Sequence, residues 1–291
     1  MTLLSLRAGW LEVDLAPQAG GSIARFSVDG RHDVLRATPA DVLANATAAN
    51  RGNDTACYPL LPFSNRIAGG RLSVDGREIV LRRNWPGVNH PMHGDGWARA
   101  WKVERHDQRS AEIAYDHAAA SDGGWPFAYR ARQSYRLDED RLTVRISLEN
   151  REAQVVPAGI GLHPFFVRDA ATDLQCRTKS VWLADAEVLP TERVTVPAAW
   201  DFSAGRRIGE VALDNCFEGW DGQARIAWPN RGLALEMMAS EQLRTLVIFT
   251  PPQRPFFCVE PVSHANGRIA ATRLAAGDTI AGEVTFRLTI Q

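Results

Sequence analysis

In the run RLTVRISLEN, Leu142, Val144, Ile146 and Leu148 alternate with Thr143, Arg145, Ser147 and Glu149. A strand turns successive side chains to opposite faces, so this run has one apolar face and one polar face. A helix would throw the same four residues onto opposite sides. Upstream, Tyr129, Ala131, Gln133, Tyr135 and Leu137 alternate with Arg130, Arg132, Ser134 and Arg136. Asp138 to Asp140 then reads as the turn of a hairpin. Leu72 and Val74, then Ile79 and Leu81, flank Asp75-Gly76, a strong short hairpin signal. Leu11, Val13 and Leu15 alternate as well, as do Phe286, Leu288 and Ile290. Sustained stripes at helical spacing are missing, and the best helix candidate is short, Ala40 to Ala48 after Pro39. Many short strands and few helices predict an all-β sandwich or barrel. The stretch from Leu189 to Gly209, with Pro190, Pro197 and Gly205, reads as the most loop-like. No repeat, low-complexity tract or long polar linker divides the chain, so residues 1–291 read as one domain.

Composition narrows the function. The 291 residues carry 33 basic and 34 acidic side chains, a formal net charge of −1, which excludes a strongly basic nucleic-acid binder. Lys102 and Lys179 are the only lysines, so Schiff-base chemistry has few candidates. The first residues lack the features of a signal peptide, and no run approaches the ~18 apolar residues of a membrane span. Cys57, Cys176, Cys216 and Cys258 are scattered with no C-x-x-C pair. The expectation is a cytoplasmic protein with reduced thiols and no membrane partner.

No nucleophile elbow, phosphate loop, H-E-x-x-H or dinucleotide fingerprint occurs. What remains is a set of polar groups in apolar or turn-rich surroundings. Asn65 and Arg66 follow Tyr58-Pro-Leu-Leu-Pro-Phe-Ser64, and the arginine fork can bind two oxygens or merely bridge loops. His90 and His93 stand three apart; a catalytic zinc needs a third ligand, and none is evident nearby, so no metal is expected. His163 sits in Gly-Ile-Gly-Leu-His-Pro-Phe-Phe, as a satisfied core histidine or a proton carrier. Glu260 ends the apolar run Phe256-Phe-Cys-Val-Glu-Pro261, where burial would demand a partner. Both His163 and Glu260 precede proline, which forces extended backbone at each. Asp214, in Leu-Asp-Asn-Cys-Phe, can accept hydrogen bonds from hydroxyls or cap a turn. Trp97, Trp125 and Trp220 are candidates to stack on a flat ligand face, although most tryptophans serve the core.

In order, N-R-I-A-G-G, H-G, H-P-F-F, L-D-N-C-F and V-E-P, from residue 65 to residue 261, resemble the aldose 1-epimerase (mutarotase) family. The resemblance covers nearly the whole chain. It implies a large antiparallel β-sandwich with few short helices. It also implies interconversion of the α- and β-anomers of a free aldose, such as galactose or glucose, with no cofactor. By motif, Glu260 would be the general base, His163 the general acid, and His93 a hydrogen-bonding partner at the reacting centre. Asn65, Arg66 and Asp214 would hold hydroxyls. His93 is followed by Gly94-Asp95 where the family's galactose enzymes commonly have two glycines, and Leu246 to Phe249 is apolar where a polar contact can occur. Those departures put galactose preference in question. A phosphosugar epimerase is the nearest rival and would need clustered cations, for which Arg66, Arg71, Arg82 and Arg83 are candidates. A catalytically silent carbohydrate-binding β-sandwich is the rival from another class.

Overall fold

The computed structural model describes residues 3–209 and 211–290. Tyr129–Leu137 and Arg141–Asn150 pair antiparallel, Tyr135 opposite Val144 and Gln133 opposite Ile146. On the far side of the second strand lies Thr279–Ile290, with Val284 opposite Val144 and Phe286 opposite Leu142. The apolar rows of the first two strands are buried, as are Val284, Phe286 and Leu288 of the third, whereas Ile290 at its end is exposed. Gln133 sits among them with its amide satisfied: Nε2 donates to the Gly21 carbonyl at 2.8 Å, and Oε1 accepts from the Tyr135 hydroxyl at 2.9 Å.

Among the described residues these strands belong to a nine-stranded antiparallel sheet, which faces an eleven-stranded one. One hydrophobic cluster draws Leu6, Phe26, Phe166 and Phe257 from the larger sheet and Ile113, Ile146, Leu235 and Phe286 from the smaller. The Phe166 and Phe286 rings meet between the sheets, 6.1 Å apart. Two sheets sharing an interdigitated core make a β-sandwich. Ile146 is fully buried there. Ile146→Ala is expected to cost ~2–5 kcal/mol, read as a lower urea midpoint at unchanged slope. A loss under ~1 kcal/mol would mean that this face does not pack as described.

The Asp75-Gly76 turn joins Arg71–Val74 to Arg77–Val80, both turn residues having positive φ, as this tight hairpin requires. The one α-helix among the described residues is Ala40–Ala48, entered from Pro39. It is too short to cross a membrane. The segment from Leu189 to Gly209 is more ordered than its composition suggests. Pro190–Thr195 is an edge strand paired to Ser180–Ala184, and Arg206–Arg207 pairs with Asp173–Cys176. Its strand residues are mostly exposed, so they carry no apolar alternation to read. All four cysteines are free and buried.

The centre of the larger sheet positions the site. Cys57–Leu60, Gly161–Val167, Phe256–Val262, Thr245–Phe249 and Asp214–Glu218 lie side by side in that order. Alternation divides each strand between two environments. Leu162, Phe166, Phe257, Val259, Leu246 and Ile248 face the main core. Tyr58, Phe165, Cys258, Val262, Val247 and Cys216 form a second apolar cluster on the opposite face. His163 and Glu260 share the parity of this second set, so they stand on the same face.

Candidate active site

Cross-strand register lays the floor of a cleft in two rows. Tyr58 lies opposite His163, and Glu260 opposite Val247, which lies opposite Cys216. In the next row Phe165 lies opposite Cys258, which lies opposite Phe249, which lies opposite Asp214. Gly161 pairs with Val262 and Phe165 with Cys258, so the register between them sets His163 directly across from Glu260. Ladder pairing between these two strands lapses over Leu162, His163 and Pro164. There Pro164 and Pro261 have no N–H to give. The two side chains meet at 3.3 Å, His163 Nε2 to Glu260 Oε1, with 8% and 3% of their side-chain surfaces exposed.

Stacking fixes the His163 ring. Tyr58 covers one neighbour position at 4.7 Å and Phe165 another at 4.5 Å, both nearly parallel. The Arg36 guanidinium caps Phe165 at 3.8 Å from the ring centre and lies 4.6 Å from that of Phe256. Rotation of the imidazole would break these contacts, so the ring presents an edge to the cleft.

Two loops close over the floor. Asn65 and His93 both have positive φ, which is uncommon for residues other than glycine. They hold each other: the Asn65 N–H donates to His93 Nδ1 at 3.1 Å, and the His93 N–H donates to the Asn65 carbonyl at 3.0 Å. Because Nδ1 accepts, a neutral His93 carries its proton on Nε2 and is a donor there. Asn84 grips the backbone on both sides of His93. Its Oδ1 accepts from the Met92 N–H at 2.7 Å, and its Nδ2 donates to the Met92 and Gly94 carbonyls at 2.8 and 2.7 Å. A Cβ on Gly94 would lie 2.0 Å from the Leu61 carbonyl oxygen, so only glycine fits. Asp95 then ties the loop to the nine-stranded sheet. It contacts His117 Nδ1 at 2.7 Å and accepts from the Tyr115 and Tyr129 hydroxyls. The aspartate in place of a second glycine therefore acts as an anchor. His90 points elsewhere, its Nδ1 accepting from the Gly69 N–H at 3.1 Å.

At the end of the cleft Arg66 faces Asp214 at 3.6 Å. The Asn65 side-chain carbonyl accepts from the Arg66 guanidinium at 3.2 Å and from its N–H at 2.9 Å. The cleft, about 250 Å³, is lined by His93, His163, Glu260, Asn65, Arg66 and Asp214 together. It is smaller than the roughly 300–1,000 Å³ of drug-sized ligand sites. Thus all six candidate residues reach one cavity from five separate chain segments. Arg36, Asn53, Asp54, Tyr58, Trp85, Met92, Phe165 and Phe249 complete the wall. Phe165 stands two residues after His163 in its motif and Tyr58 opens the segment that leads to Asn65 and Arg66; Arg36 and Trp85 had no sequence signal. Trp97, Trp125 and Trp220 are 1%, 4% and 3% exposed and belong to the cores, so the aromatic wall falls to Trp85 instead.

Burial sets the charge states. It drives the Glu260 carboxyl well above the usual carboxylate range, and the nearby Asp214 adds to this while Arg66 opposes. Burial also depresses His163 well below the usual imidazole value, helped by His93 and Arg36. His93 is held at about 3 by burial and the Arg66 charge, so it is neutral at physiological pH. Asp214 is raised by burial against the pull of Arg66. A carboxyl and an imidazole in contact, perturbed in opposite directions, have the signature of an acid–base pair.

The family model described as aldose 1-epimerase matches residues 3–287. The uncharacterized protein YphB of Escherichia coli (strain K12) is 32% identical over 304 residues, covering 99% of each chain. A crystal structure of a provisionally named aldose 1-epimerase from Escherichia coli K12 superposes with a TM-score of 0.90 at 30% identity, covering 100% of this chain and 99% of that one. A galactose mutarotase-like protein from Clostridium acetobutylicum shares the fold, with a TM-score of 0.86 at 18% identity over 99% of this chain and 95% of its own. Sequence order, fold and the matched span agree: this chain belongs to the aldose 1-epimerase family.

Proposed function

We propose that the protein interconverts the α- and β-anomers of a free aldose by acid–base ring opening and reclosure. The observation that carries this reading is the buried His163–Glu260 pair, face to face at 3.3 Å on the floor of a small polar cleft. Glu260 takes the proton of the C1 hydroxyl as its electrons form the aldehyde. The C1–O5 bond breaks, and His163 delivers a proton to the ring oxygen. Rotation about C1–C2 turns the other aldehyde face toward O5, and the two transfers run backwards to close the ring. Opening takes the pair from carboxylate and imidazolium to carboxyl and imidazole. That is the direction burial favours for both groups, so the dry site stabilises the open-chain stage. Neutral His93 donates from Nε2 to the anomeric region, while Asn65, Arg66 and Asp214 hold ring hydroxyls. The role assigned to the pair needs neither a metal nor a covalent intermediate.

The arginine distribution favours an uncharged sugar. Of Arg66, Arg71, Arg82 and Arg83, Arg66 alone lines this cleft. Arg71 pairs with Glu78 in its hairpin, and Arg82 with Asp122. Arg66 is itself engaged by Asp214. A silent carbohydrate-binding role leaves the opposed acid–base pair without a purpose.

The test is a panel of freshly dissolved free aldoses, pentoses and phosphosugars followed by polarimetry. Accelerated mutarotation of at least one free aldose is expected. Acceleration of phosphosugars alone would favour the phosphosugar rival, and none at all would remove the enzyme reading. Asp214→Asn adds a directional check. It removes the carboxylate that raises Glu260 and frees Arg66 to lower it. Because Glu260 must be ionised to act, the acid limb of kcat/KM against pH is expected to move to lower pH. An unchanged or raised limb would contradict the electrostatic assignment.

A further inference from the structure

We propose that the floor of the cleft is also a binding site for a soft or borderline divalent ion of the zinc class, held by Cys258, His163 and Glu260. Cys258 lies two residues before Glu260 in the same strand and therefore on the same face. It neighbours His163 in the next strand, one row along from the catalytic pair. One ligand atom from each of the three residues lies within 4.8 Å of the others, and all three residues are buried. Among the described residues no other group of three metal-ligating side chains comes together in this way.

The donor set selects the ion. A thiolate, an imidazole and a carboxylate suit zinc and its neighbours, whereas magnesium and calcium want oxygen cages. Zinc bonds of ~2.0–2.3 Å place tetrahedral ligands roughly 3.3–3.8 Å apart, so side-chain shifts of about 1 Å would close the site. Three protein ligands leave a fourth position for water or an added ligand. The charge also balances. A divalent ion with one thiolate and one carboxylate is neutral. On the rim the two cations, Arg36 and Arg66, are opposed by Asp54 and Asp214.

Such an ion occupies the lone pairs of both groups assigned to proton transfer. It is therefore an inhibitor of the activity proposed above, and the inhibition rests on that reading. Binding itself does not. Cobalt(II) added to the full-length protein reports the site optically, because a cobalt–thiolate bond gives a near-ultraviolet charge-transfer band. One equivalent is expected to produce the band in wild type. Cys258→Ser should abolish the band and weaken zinc binding, measured by competition with a chelating dye, by more than ~10-fold, since losing even an outer-shell partner costs ~10–100-fold. Cys216→Ser, which alters another buried thiol on this face outside the cluster, should bind like wild type and controls for folding. Zinc should also stop mutarotation, and a chelator should restore it. Cobalt binding without the thiolate band, equal zinc affinity in the Cys258→Ser protein, no binding, or faster turnover with zinc would each overturn the site. If no sugar is turned over yet the Cys258-dependent band appears, the epimerase reading fails and the metal site stands.

Discussion

Glu260→Gln is expected to lower kcat by at least ~10²-fold, with the protein still folded, because one positioned proton transfer typically contributes 10²–10⁴-fold. The amide has nearly the shape of the carboxyl, so the contact with His163 and the packing around the 3%-exposed side chain can persist. What is lost is the capacity to take the C1 hydroxyl proton. Hydroxyl contacts through Asn65, Arg66 and Asp214 remain, so KM should change much less than kcat. The substitution also replaces a group that burial keeps reluctant to ionise by one that never ionises. Thermal stability is therefore expected to hold or rise slightly. Turnover near wild type with intact folding would remove Glu260 from the chemistry.

His163→Asn is expected to cost kcat a similar factor, at least ~10²-fold, for the complementary reason. Asparagine can offer a hydrogen bond at the ring oxygen but cannot deliver and recover a proton at neutral pH. This substitution is less gentle on structure. It removes a ring that stacks against both Tyr58 and Phe165, and with it a contact behind the Phe165–Arg36 stack. A modest stability loss should accompany the kinetic one, and calorimetry separates the two. Combining both substitutions should cost little more than either alone, since the residues act as one pair. Full additivity would mean that each serves a separate step.

The strands were legible because their alternation is a direct consequence of one face being buried, as in Leu142 to Leu148 and Tyr129 to Leu137. The edge strand Pro190–Thr195 was not, because both of its faces meet solvent over most of its length and leave no pattern. The two catalytic candidates announced themselves by polar residues set in apolar runs before proline. Their exact opposition depends on register, and register follows from pairing across a long stretch of chain. Arg36 could not be read at all, since its role comes from stacking on Phe165 and Phe256, far along the sequence. The same holds for Asp95, whose partners His117 and Tyr129 lie on strands of the opposite sheet. Tryptophan content misled in position: the buried Trp97 supports Trp85 at 4.8 Å, and Trp85 is the one that reaches the cleft.

The most direct test of the paired acid–base account is exchange spectroscopy on the best sugar of the panel, following magnetisation passed between the α- and β-anomeric protons at equilibrium. Wild type should produce exchange cross-peaks that grow in proportion to enzyme, and Glu260→Gln at equal concentration should reduce the exchange rate at least ~10²-fold. Equal exchange rates for the two proteins would contradict it.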